Sequence, residues 1–122
     1  MRFKLVEIIK LLSSDCQDQI ASFPDFVCIP DEMALLFDET YQLVGQISGL
    51  PQVTLSTLKK IDTILDNMSD DNENVWQTEA LIKDSRWITI RNLAKNVLDD
   101  LGEPLKRPDI SWVVYVPGEK DT

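Results

Sequence analysis

The sequence predicts a mainly helical domain, a bundle of about five to six helices closed by a short C-terminal strand. Three observations carry that expectation. Apolar residues recur at helical spacing in four separate stretches. Pro24, Gly102, Pro104 and Pro108 punctuate the chain where those stretches end. The longest run rich in β-branched and aromatic residues lies near the end, at residues 110–116. With 122 residues, 43% of them hydrophobic, the chain fits one compact domain, residues 1–122, that buries roughly two-thirds of its unfolded surface without disulfide help.

Leu5, Ile8, Ile9 and Leu12 follow the i, i+3, i+4, i+7 spacing of an amphipathic helix, which predicts a first helix from about Arg2 to Ser13 with Lys4, Glu7 and Lys10 on its outer face. Ser14 with Gln17 three residues on reads as a capping box for a short second helix through Ala21. Pro24 ends it. Phe26 to Ile29 is a short β-prone run. Pro30, Asp31 and Glu32 then open a third helix, because proline fits the first turn and acids suit the positive end of the helix dipole. Its core stripe is Met33, Leu36, Phe37, Thr40, Tyr41, Val44 and Ile47, so it is expected to reach about Ser48 or Gly49.

Thr54 is the expected cap of a fourth helix with Leu58, Ile61, Leu65 and Met68 inward and Lys59, Asp62 and Asp66 outward. A polar, acidic loop from Ser69 to Asn74 follows. Asn74 with Gln77 suggests a capped short helix carrying Trp76, Ala80 and Leu81. Asp84 or Ser85 caps the clearest helix, on which Trp87, Ile90, Ala94, Val97 and Leu101 repeat and Gly102 supplies the stop. Ile110 to Val116, bounded by Pro108 and Pro117, reads as a strand, either paired with Phe26 to Ile29 or offered as an edge to another chain. The tail from Gly118 to Thr122 is expected to be mobile.

Charge is the feature that bears most on function. The chain has 12 basic and 21 acidic residues, a net charge of −9. From Leu11 to Leu58 it carries Asp15, Asp18, Asp25, Asp31, Glu32, Asp38 and Glu39 without one Lys or Arg, and the rest is nearly balanced. Asp31 and Asp38 are seven residues apart, as are Glu32 and Glu39, so on the third helix they stack in two pairs, the Asp pair opposite the core stripe and the Glu pair on its flank. Ordinary solvated helices intersperse cations with acids to gain small attractions. This one has none and is left self-repelling. Such a surface repels nucleic acid and anionic lipid and steers a basic partner toward itself.

Other chemistry is weakly represented. There is no histidine, which removes Ser-His-Asp and Cys-His catalysis and His-ligated zinc. Cys16 and Cys28 match no metal or redox spacing and are expected to be reduced, partly buried thiols. Asp70, Asn72 and Asn74 fall at positions 1, 3 and 5 of a calcium loop, but Val75 replaces its glycine and Leu81 its bidentate glutamate. Asp99, Asp100 and Glu103 sit at a helix end, where negative charge is disfavoured and no cleft is implied. Trp76, Trp87 and Trp112 read mainly as core or seam residues by spacing. Arg86, Arg91 and Lys95 are too few for a nucleic-acid site, and pairing with local acids accounts for them. Glu7 and Lys10 interrupt what would have to be an apolar signal segment, and no apolar run is long enough to span a bilayer. A cytoplasmic protein with no enzymatic activity, cofactor or metal is the expectation.

Size, acidity and helical character together resemble the immunity proteins of bacterial contact-dependent growth inhibition toxin systems, and Trp87-Ile88-Thr89-Ile90-Arg91-Asn92-Leu93-Ala94 is similar to the closing helix of small helical proteins in such systems. The resemblance implies a protein that docks an acidic face over the basic active site of a cognate toxin domain, often a nuclease, and keeps nucleic acid out. Asp31, Glu32, Asp38 and Glu39 are then the leading contacts, with Asp15, Asp18 and Asp25 beside them. The competing expectation is a helical adaptor or regulatory module that binds through an apolar groove or the C-terminal strand.

Overall fold

The computed structural model describes residues 2–24, 28–69, 76–104 and 108. Within them six α-helices follow one another: α1 (Arg2–Ser13), α2 (Cys16–Ala21), α3 (Ile29–Tyr41), α4 (Gln52–Ser69), α5 (Ala80–Lys83) and α6 (Ser85–Leu101), with a 3-10 turn at Val44–Gln46. The fold is mainly helical, as the apolar spacing predicts, and no strand occurs among the described residues. The expected strand at 110–116, the tail at 118–122 and the Phe26-Val27 part of the suggested pairing segment lie outside those residues. Ile29, the end of that segment, is instead the first residue of α3. Pro30 beside it stands in the first turn of the helix, where proline is tolerated.

The core has α1 at its centre. Leu5 to Ile9 and Leu11 to Ser13 are all buried, and α1 packs against both α6 and α3, while α4 packs on α6. Leu58, Ile61, Leu65 and Met68 of α4 and Trp87, Ile90, Ala94, Val97 and Leu98 of α6 fill the same cluster. Phe37 stacks on Tyr41 with centroids 5.5 Å apart, and Trp76 meets Trp87 edge to face at 6.1 Å. Such aromatic pairs each add to plain burial by about 0.5–1.5 kcal/mol.

Several expected details change. Glu7 is buried rather than outward, and its side chain pairs with Lys10 at 3.0 Å, because α1 is surrounded on more sides than a half-exposed helix. Asp15, not Ser14, caps α2, accepting from the Asp18 N–H at 3.0 Å, while the Ser14 hydroxyl donates back to the Lys10 carbonyl. α3 stops at Tyr41 rather than near Gly49. Val44 and Ile47 still pack on the core as half-buried residues in and just after a tighter turn, which preserves the apolar spacing of a helix beyond its end. Thr54 caps nothing. It lies inside the first turn of α4, fully buried, with its hydroxyl unpartnered, and the carbonyl of Pro51 accepts the first helical bond from Leu55. The capped start expected at Asn74 falls outside the described residues, and α5 begins only at Ala80, where Glu79 offers no side-chain cap. Gly102 closes α6 as expected, in the left-handed conformation at φ 70°, with the Glu103 N–H reaching back to the Leu98 carbonyl.

Candidate functional site: an acidic groove between α3 and α4

The first turn of α3 carries Asp31 and Glu32, at the end where unpaired backbone N–H groups favour negative charge. Two helical turns later come Asp38 and Glu39. Asp31, Asp38 and Glu39 are exposed and Glu32 is half-buried, so the pairing by sevens is present but its members do different things. Asp31 and Asp38 line a groove of about 210 Å3 between α3 and α4, whose other carboxylates are Asp62 and Asp66. Glu32 and Glu39 are not part of its lining. The floor is apolar: Ala34, Leu35, Phe37, Leu65 and Trp76, with Ser69 at the edge. Leu35 is 49% exposed, unusual for a leucine on the helix that supplies Met33, Leu36 and Phe37 to the core.

α4 contributes because of its own period. Asp62 and Asp66 are four residues apart and so share a face, beside the inward stripe of Leu58, Ile61 and Leu65. The chain that leads to α5 brings Trp76 against Trp87, and the Trp76 carbonyl accepts a bond from the Cys28 thiol at 3.6 Å, which ties the groove's aromatic wall to the start of α3.

Among the described residues no cation compensates the groove. None of the four aspartates is ion-paired to a described residue, and the only side-chain hydrogen bond among them is from the Gln42 amide to Asp38 at 3.2 Å. Partial burial raises the Asp62 carboxyl above the usual carboxylate range, and the charges of Asp38 and Asp66 push it further the same way. The Tyr41 phenol is raised as well, first by burial and then by Asp62. The chemistry available is recognition of a cation, assisted by contact with an apolar group. Among the described residues no group of three or more Cys, Asp or Glu is placed to hold a metal ion.

The remaining candidate acids lie elsewhere. Asp15 is exposed and occupied as the cap of α2, Asp18 sits half-buried in that helix, and Asp25 lies outside the described residues. Of the six described acids among the seven singled out by charge counting, Asp31 and Asp38 come together in the groove and the other four do not. Asp62, Asp66, Leu35 and Trp76 were not singled out as binding residues. Their signal in the sequence is faint, a carboxylate pair at i, i+4 on a neighbouring helix. It acquires meaning only once α3 and α4 are known to be adjacent.

The basic residues of α6 and the thiols follow expectation in part. Arg86 pairs with an acid, Asp84, through both oxygens at 3.0 and 3.1 Å. Arg91 does not. Its guanidinium donates to the carbonyls of Ser14 and Leu81 at 2.9 Å and to the Gln19 side chain at 3.2 Å. Cys16 is half-buried and Cys28 exposed, both free. No helix among the described residues is long and apolar enough to cross a membrane. Comparison with protein-family models, curated proteins and solved structures finds no match to this chain.

Proposed function

We propose that the protein is an immunity-type inhibitor that acts in the cytoplasm by covering the basic active site of a cognate toxin domain, of the nuclease class, with its acidic surface. The observation that carries this reading is the gathering of Asp31, Asp38, Asp62 and Asp66 around one groove with no cation of the described chain set against them. A folded protein gains no stability from such an arrangement, because like charges brought together destabilise. A partner that supplies cations relieves the repulsion and is drawn in faster at low ionic strength. Nucleases suit it because a site built to attract phosphate also attracts carboxylates. Glu32 and Glu39 add charge along α3.

The test begins with capture of the partner from the native host and its expression alone in a sensitive cell. Wild-type protein is expected to restore growth, and to associate with the partner at a rate that falls as salt rises. The variant with Asp31, Glu32, Asp38 and Glu39 all changed to Lys is expected to lose both, while its helical circular dichroism persists. Unchanged association and unchanged protection in that variant would refute the assignment. The exposed Leu35 and the apolar floor favour a second reading, an adaptor that binds by apolar contact, for which affinity would scarcely respond to salt.

A further inference from the structure

We infer that the groove between α3 and α4 seats a basic, amphipathic segment of the partner protein, with one aliphatic or aromatic side chain resting on Leu35 and Trp76 and flanking lysines or arginines reaching the aspartates at its rim. This rests on the reading of the acidic surface given above and adds what occupies its centre. Charge alone would be served by a flat carboxylate face. The groove is not flat: it has a volume of about 210 Å3 and its exposed lining is mainly apolar. Leu35 at 49% exposure lies between the helical positions of Asp31 and Asp38, one turn from each, so an apolar anchor and two anionic contacts fall along one line of α3. That line is about 10 Å long at the helical rise of 1.5 Å per residue, the span of two turns of a docked helix. Asp62 and Asp66 flank it from α4.

The alternatives are disfavoured by the same charges. A second copy of the chain would bring four more aspartates to the groove, and nucleic acid or an anionic membrane would bring phosphates. The other exposed large apolar residues of the described chain, Phe3, Leu43, Val53, Ile82 and Ile88, are not in the lining of this groove. A cation seated beside Asp62 would also oppose the burial and the like charges that hold its carboxyl above the ordinary range, so binding is expected to release its excess proton affinity and to weaken as pH falls through that raised value.

Two peptides of equal length and charge serve as probes against the full chain in titration calorimetry: a lysine-leucine peptide with an amphipathic helical pattern, and its lysine-serine counterpart. The lysine-leucine peptide is expected to bind one per chain and about tenfold more tightly, the scale of one well-buried leucine. Leu35→Ser, an exposed change that leaves the core untouched, is expected to remove that advantage, whereas Asp38→Asn with Asp62→Asn weakens both peptides. Equal affinities for the two peptides, indifferent to Leu35→Ser, would overturn the groove as the seat while leaving a cation-attracting surface. Failure of both peptides to bind, or binding that ignores the aspartate changes, would overturn the acidic reading and this inference together. Self-association abolished by Leu35→Ser would place a second copy in the groove and also overturn it.

Discussion

The Arg91 guanidinium ties α6 to the chain after α1, to α2 and to α5. Gln19, 1% exposed, donates from its amide nitrogen to the carbonyls of Leu11 and Leu12 at 3.1 Å, in the last turn of α1 where carbonyls lack i+4 partners, and shares the Leu11 carbonyl with the Ser14 N–H at 3.2 Å. Its amide oxygen accepts from Arg91, whose other bonds reach Ser14 and Leu81. One chain of bonds thereby joins the end of α1, α2, α5 and α6. All of the acceptors on Arg91 are neutral, so no charge pairing in the sequence could announce it. Arg91→Met is expected to destabilise the protein by about 3 kcal/mol, the sum of a lost charge-assisted bond and the stranding of part-buried acceptors. Arg91→Lys restores little of this, because an ammonium lacks the planar fork that reaches three acceptors. Urea denaturation checks both: the midpoint should fall with the slope unchanged.

At the scale of the element, the start of α6 shows how one residue sets a boundary. Asp84 accepts from the Arg86 N–H at 2.8 Å and grips the Arg86 guanidinium with both oxygens. The Arg86 side chain, assisted by backbone bonds and against the effect of burial, holds the Asp84 carboxyl below the ordinary carboxylate range. A depressed value means that the folded state favours the ionised form. The stability it contributes is therefore present above the carboxyl's unfolded value and lost as pH falls through the folded one. Asp84→Ala is expected to cost about 1 kcal/mol at neutral pH, as lost N-caps do, and the difference from wild type should shrink toward zero in acid; thermal unfolding followed at both pH values measures it. This cap was legible because an acid stands immediately before a strongly periodic helix. The cap of α4 was not, since Thr54 has the right residue type three places too late, behind Pro51, and its buried position follows from how α4 packs. α3 was overextended for a related reason: a 3-10 turn keeps Val44 and Ile47 on the core with nearly the same sequence spacing as another turn of α-helix.

Across the whole molecule, local periodicity made the helices readable and left their mutual placement unread. The stripes of α1, α4 and α6 are visible residue by residue, yet the centrality of α1 is not, and Glu7 on its expected outer face is buried. The same limit applies to the candidate site. Counting charge located Asp31 and Asp38, because an acidic helix without cations stands out by itself. It could not select them over Glu32, Glu39 or Asp15, nor add Asp62, Asp66 and Trp76, since a groove is a relation between elements. The central claim is that this groove, rather than acidity at large, meets the basic partner. Carbodiimide footprinting of carboxylates, read by mass spectrometry on the full chain free and bound to its captured partner, tests it most directly. Binding through the groove predicts that Asp31, Asp38, Asp62 and Asp66 lose labelling in the complex while the exposed Asp99 and Asp100 at the end of α6 remain reactive. Protection of Asp99 and Asp100 with the four groove aspartates still labelled would contradict it.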